Sequence, residues 1–127
     1  MPLVRIDTTQ RLDAHRRRAM GDAVHRALIE AIQVPPDDRF QIIVGHADVE
    51  LHVTPAYLAI EHAPDVVLVQ VTISVGRTTE QKKALFRKIA DGVAEAGQVR
   101  PEDVIVNLVE VAKENWSFGN GEAQYAR

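Results

Sequence analysis

The stretch Val34-Pro35-Pro36-Asp37-Asp38 is echoed by Val99-Arg100-Pro101-Glu102-Asp103, an offset of 65 residues (99 − 34 = 65). Each copy closes a helical pattern and precedes a run rich in β-branched residues. In the first copy Leu12, Met20, Val24, Ala27, Leu28, Ala31 and Ile32 recur at three- and four-residue steps, which predicts an amphipathic helix over Leu12–Gln33. Phe40–Val44 then reads as a strand stopped by Gly45. In the second copy Thr78-Thr79-Glu80-Gln81 has the pattern of a capping box, with Thr78 as N-cap and Gln81 three positions on. Leu85, Ile89, Val93 and Ala96 share one face of the helix that follows, and Val104–Val109 reads as the next strand. A strand also precedes each helix: the alternating Pro2–Asp7 (PLVRID) before the first, and Val66–Val75 before the second.

A repeat of this kind leaves few folds. Each unit is strand-helix-strand with parallel strands and a right-handed crossover. The predicted fold class is therefore α/β, with tandem β-α-β units forming one four-stranded sheet and two helices on one face. The other face of that sheet would be apolar and uncovered, which predicts an oligomer. Two segments lie outside the repeat. Between the units, Glu50–Val53 reads as a short strand and Thr54–Tyr57 as a turn. Near the C-terminus, Asn120-Gly121 is a type I′ hairpin dipeptide, predicting a C-terminal hairpin between Trp116–Phe118 and Ala123–Tyr125.

The 127 residues suit a single domain, 1–127, with a core that needs no staples. There is no cysteine, so disulfides, thiol nucleophiles and cysteine-based zinc sites are excluded, in keeping with a cytoplasmic protein. The net charge of −3 argues against a nucleic-acid partner, and no apolar run is long enough for a membrane span. His15, His25, His46, His52 and His62 show no tight ligand spacing, so neither a metal nor another cofactor is expected. His15-Arg16-Arg17-Arg18 reads as the solvated face of the first helix. Gly119-Asn120-Gly121 lacks the context of a phosphate loop.

Pro2 admits two readings. Proline carries no amide hydrogen and is tolerated at the first residue of a strand. Alternatively, removal of Met1 would leave Pro2 as a free secondary amine fixed at a strand end. The second reading is favoured by its company. Met1-Pro2, the tandem units, Gly76-Arg77-Thr78-Thr79-Glu80-Gln81-Lys82-Lys83 and Asn115-Trp116-Ser117-Phe118-Gly119 together resemble the tautomerase superfamily. The branch is the one containing malonate semialdehyde decarboxylase and related tautomerases, and the resemblance runs over essentially the whole chain.

The resemblance implies a homotrimer with active sites around the proline nitrogen, near subunit boundaries. Pro2 matches the catalytic amino-terminal proline, Arg77 an arginine that holds the substrate carboxylate, and Asp38 the aspartate of the decarboxylase. Trp116 and Phe118 match an apolar wall, which Tyr125 extends. The decarboxylase has a second arginine two residues before the position of Arg77. Val75 stands there in this chain, so a charged substrate would be gripped by Arg77 alone, which favours the simpler tautomerase chemistry.

That chemistry is consistent with the residues themselves. Keto–enol exchange of a 2-oxo acid needs a base, a cation for the carboxylate and a partly dry site. An α-amino group titrates at about 7.7–8.0 in peptides, and burial near a cation lowers it toward working pH. The guanidinium fork matches two carboxylate oxygens. The expected function is a tautomerase of 2-oxo acids using Pro2 as general base and acid. The alternatives are a malonate semialdehyde decarboxylase or hydratase with protonated Pro2, and a trimeric ligand-binding protein without catalysis. The structural alternatives to the site roles are a loop function for Asp38, a solvated charge for Arg77 and interface packing for Trp116 and Phe118.

Overall fold

In a computed structural model that describes residues 1–126, the 65-residue offset holds element by element. The chain runs β1 (Leu3–Thr9), α1 (Ala14–Ile32), β2 (Gln41–His46), a small pair β3 (Ala56–Tyr57) and β4 (Ile60–Glu61), β5 (Val67–Ser74), α2 (Thr79–Gly97) and β6 (Val104–Val111). The two helices begin and end 65 residues apart. Their N-caps, Asp13 and Thr78, each accept from a backbone N–H three residues on, and their C-caps, Gln33 and Gln98, both take the left-handed conformation. Even the turns after β2 and β6 match, as Asp48–Glu50 and Lys113–Asn115.

β1 pairs parallel with β2, and β5 pairs parallel with β6. The two units join through antiparallel pairing of β1 with β5, opposite Ile6 and Val69, giving the order β2-β1-β5-β6. Both helices cover one face. Val4 and Ile6 of β1, and Val67, Val69, Val71 and Ile73 of β5, point into the core. They meet Met20, Val24 and Leu28 of α1 and Leu85, Ile89 and Val93 of α2. Burying each such side chain contributes roughly 1.5–3 kcal/mol. Thr8 is buried among them, and its hydroxyl donates to Val66 O at 2.7 Å.

The opposite face of the sheet departs from the uniformly apolar surface expected of it. Leu3, Ile42, Leu68, Ile105 and Val109 lie there by alternation with the buried positions. A polar row crosses between them, because Arg5 registers with Gln70 and Gln70 with Asn107. Asp7 on this face accepts from Arg5 Nε at 2.8 Å and contacts His46 Nε2. Burial pushes the Asp7 carboxyl up, but the hydrogen bonds from Arg5 and His46 outweigh it and hold the group below the usual carboxylate value.

Three local expectations are corrected. β2 continues through Gly45 to His46, since Thr8 and Thr9 pair with Gly45 and His46 in the parallel register. The segment read as a strand over Glu50–Val53 and a turn over Thr54–Tyr57 is instead a helical turn followed by the hairpin β3–β4, whose tip is Leu58-Ala59. The C-terminal hairpin does not form. Asn120 and Gly121 do make a turn, both at positive φ, yet no strand flanks it, and Gln124–Ala126 closes as a helical turn. The Gln124 amide accepts from Phe118 N–H and donates to Gly119 O, replacing a ladder with two side-chain bonds.

Candidate active site

The chain start is where the predicted residues converge. Val4 N–H donates to Phe40 O at 2.9 Å, so β1 begins beside the loop that leads into β2 and carries Asp38. Pro2 is buried at the mouth of β1. Met1 precedes it, with its amino nitrogen 3.7 Å from Asp38 Oδ2. The other carboxylate oxygen, Oδ1, is buried and accepts no hydrogen bond from any described residue. A buried acceptor without a donor costs on the order of 1–3 kcal/mol, and such groups mark strain or function.

Two cavities meet at Met1 and Tyr125. One, of about 350 Å³, is lined by Asp38 together with Pro35, Phe40 and Phe118. Phe118 is the hub of its aromatic wall. It stacks on Trp116 with centroids 5.6 Å apart, lies 6.2 Å from Phe40, and meets Tyr125 edge-on at 4.9 Å.

The other cavity, of about 540 Å³, is lined by Ser74, Val75, Gly76, Arg77, Gln81 and Lys113. It sits where β5 gives way to α2. Val75 N–H still pairs with Val111 O, and Gly76 then turns the chain at φ +129°, a conformation that favours glycine. The turn delivers Arg77 to the cavity one residue before the helix N-cap. Arg77 Nη1 donates to Ser74 O at 2.9 Å, which fixes the guanidinium and leaves its remaining donors without a partner among the described residues.

Asp38 and Phe118 thus line the smaller cavity, Arg77 lines the larger, Tyr125 lines both, and Pro2 is buried next to Met1, which lines both as well. Trp116 is a step behind, lining neither cavity: it stacks on Phe118, and its Nε1 donates to Ser74 Oγ at 3.1 Å. Three neighbours went unread in the sequence. Phe40 signalled only a strand and Gln81 only a cap. Lys113 carried no signal at all, because β6 alone brings it to the cavity. Among the described residues no cluster of histidine and carboxylate side chains is arranged to hold a metal ion, and no helix is long and apolar enough to cross a membrane.

A family model described as "Tautomerase enzyme" matches residues 38–119, and a second with the same description matches residues 2–58. The chain belongs to the tautomerase family. Among tautomerases, "Probable tautomerase YusQ" of Bacillus subtilis (strain 168) is 39% identical over 98% of this chain and 98% of its own length. The crystal structure of FG41 malonate semialdehyde decarboxylase inhibited by 3-bromopropiolate is 40% identical and has a TM-score of 0.90, covering 98% of this chain and 94% of the other. A fused 4-OT described as a wild-type symmetric trimer is 25% identical with a TM-score of 0.80, covering 98% of each chain. The mixed four-stranded sheet with two helices on one face is the fold these tautomerases share with the chain.

Proposed function

We propose that this tautomerase interconverts the keto and enol forms of 2-oxo acids through the nitrogen of Pro2, exposed by removal of Met1. One observation carries the reading: Asp38 presents a buried, unpartnered oxygen at the chain terminus, while Arg77 lines the adjoining cavity. A carboxylate beside an amine and a cation beside an anion's berth are what a charged enol needs at a proton shuttle.

Arg77 holds the substrate carboxylate with the donors that Ser74 leaves free. The Pro2 nitrogen takes the enol hydroxyl proton, and the electron pair of that O–H bond reforms the carbonyl as the C=C pair turns toward C3. The protonated amine, held by Asp38, then delivers its proton to C3, so the nitrogen ends as it began. Phe40, Phe118 and Tyr125 keep this point partly dry, which strengthens each charge interaction.

The similarity to a malonate semialdehyde decarboxylase supports a second reading. There Pro2 stays protonated, polarises the 3-oxo group and Asp38 holds the ammonium while carbon dioxide leaves. In either case we infer a homotrimer, as in the fused 4-OT relative, with the uncovered sheet face inside it.

The test uses protein whose loss of Met1 is verified by mass spectrometry. Ketonisation of phenylpyruvate enol and carbon dioxide release from malonate semialdehyde are followed for the wild type and Pro2→Ala. The tautomerase reading expects ketonisation that falls by about 10²–10⁴ in the variant, the usual worth of a positioned acid–base group. Carbon dioxide release without ketonisation would make the chain a decarboxylase. Neither reaction, with an intact oligomer, would leave a ligand-binding protein.

A further inference from the structure

The arginine run after His15 does more than solvate a helix face. Arg16 pairs with the N-cap, its Nε 3.9 Å from Asp13 Oδ1. Arg17 and Arg18 instead line a cavity of about 570 Å³ between α1 and the edge strand β2, with Ala14, Arg39, Gln41 and Ile43. None of these lining residues is acidic. Arg39 is compensated, since its Nη2 donates to Asp22 Oδ1 at 2.7 Å and its Nε to Gln41 Oε1 at 3.2 Å. Arg17 and Arg18 form no ion pair with any described residue, and Arg17 Nε reaches only the backbone Asp13 O, at 3.5 Å.

Two glycines make room for this array. A Cβ on Gly45 would come 2.5 Å from Arg17 Nη1, so the guanidinium lies against bare β2 backbone. A Cβ on Gly21 would come 2.8 Å from Gln41 Oε1, the oxygen that orients Arg39. The second half of the chain is an internal comparison, 65 residues on (82 − 17 = 65, 110 − 45 = 65). There Lys82 stands for Arg17 and Glu110 for Gly45, and the two are joined at 2.7 Å. Phe86 stands for Gly21, and Val104 and Val106 for Arg39 and Gln41, in a groove whose two cations, Lys83 and Arg87, each lie 4.0 Å from an acid. One edge of the sheet thus carries paired cations over an apolar groove, and the other carries two arginines with no acid.

We infer that Arg17 and Arg18 bind the phosphate dianion of a small ligand. Two uncompensated guanidiniums match a group with two charges and three oxygens better than a carboxylate. The cavity has the size of a small-molecule site, and Ala14 and Ile43 offer carbon surface to an organic portion. It shares no lining residue with the two cavities at Met1, so the inference does not rest on the tautomerase reading.

Calorimetric titration of Arg77→Gln protein, in which the proposed substrate berth is disabled, tests it with phenyl phosphate, inorganic phosphate and benzoate. Phenyl phosphate should bind more tightly than benzoate. Inorganic phosphate binding as tightly as phenyl phosphate would make free phosphate the ligand, and weaker binding would make it a phosphomonoester; both support the site. Gly45→Glu, added to this protein, installs the acid that the other half carries and should weaken phenyl phosphate about ten- to a hundredfold, the worth of a charge-assisted hydrogen bond. Arg17→Gln should do the same without crowding β2, while Lys83→Gln, the change equivalent to one at Arg18, should leave the affinity unchanged. Absent phosphate binding, benzoate binding as tightly as phenyl phosphate, or an affinity that Gly45→Glu and Arg17→Gln both leave intact overturns the proposal.

Discussion

Asp38 and Asp103 occupy equivalent places in the two halves of the chain, yet among the described residues only Asp103 has both carboxylate oxygens hydrogen-bonded. Asp103 Oδ1 accepts from Ala63 N–H at 2.7 Å and from Arg100 Nη2 at 3.1 Å, and its Oδ2 accepts from Arg100 Nε at 3.0 Å. Asp38 faces the amino terminus across 3.7 Å and leaves Oδ1 buried without a donor among the described residues. The difference follows from the chain path. Beside Asp103 the backbone continues through Ala63, so an amide fills the place. Beside Asp38 the Met1 nitrogen stands instead.

Asp38→Asn should therefore separate stability from activity. Replacing an unsatisfied carboxylate by a neutral amide of the same shape removes a desolvation cost, so the urea midpoint should stay the same or rise. Ketonisation should fall by about ten- to a hundredfold, because the protonated amine loses a charged partner. A large loss of stability with unchanged turnover would make Asp38 a loop-fastening residue.

Asp103→Asn should do the reverse. Burial pushes the Asp103 carboxyl up, but hydrogen bonds from Arg100 and from Ala63 N–H outweigh it and hold the group below its ordinary value. A carboxyl depressed in the folded state contributes stability above its unfolded pKa of about 3.9, and that stability is lost as pH falls through the folded value. The variant should be less stable by about 1–3 kcal/mol at pH 7, with the gap to wild type closing below about pH 4. Urea unfolding over a pH series measures this, and a gap that is constant with pH would show that the carboxylate charge is irrelevant.

The repeat was legible because helices and strands advertise themselves by spacing, and Thr78 with Gln81 announces a cap outright. Turn chemistry misled in both directions. Leu58 and Ala59 form a hairpin tip at positive φ, where Asn or Gly is usual, so β3–β4 left no trace. Asn120-Gly121 gave the expected turn, but Trp116, Phe118 and Tyr125 flank it and gather into one aromatic cluster instead of lying along two strands. Pro2, Asp38 and Arg77 could be matched by motif. Lys113 and Phe40 could not, since their place at the site depends on strands distant in sequence.

The uncovered sheet face offers a direct handle on assembly. Arg5, Gln70 and Asn107 form a polar row between apolar neighbours, a pattern suited to burial against copies of itself. Wild-type protein should sediment at three times the 14.1 kDa chain mass. Gln70→Arg places a second cation beside Arg5 on each copy, and like charges brought together on a buried face are costly. The variant should sediment at the mass of one chain while keeping its far-ultraviolet circular dichroism. A trimer that survives the change would place the interface elsewhere.

The last prediction concerns the proton itself. The Pro2 nitrogen would lie between opposing influences. Arg77 and Lys113 line the cavity on one side and disfavour a protonated amine, while Asp38 on the other favours it. The apolar wall of Phe40, Phe118 and Tyr125 adds a desolvation cost that again disfavours the charged form. Two influences against one should bring the titration below the ordinary α-amino range of about 7.7–8.0, toward neutrality. Protein carrying 15N-proline, with Met1 removed, reports this through the Pro2 nitrogen shift in an NMR pH series. Asp38→Asn should then lower the midpoint further, and Lys113→Met should raise it. A wild-type midpoint well above 8 would leave Pro2 protonated at working pH, and the decarboxylase reading would displace the tautomerase one.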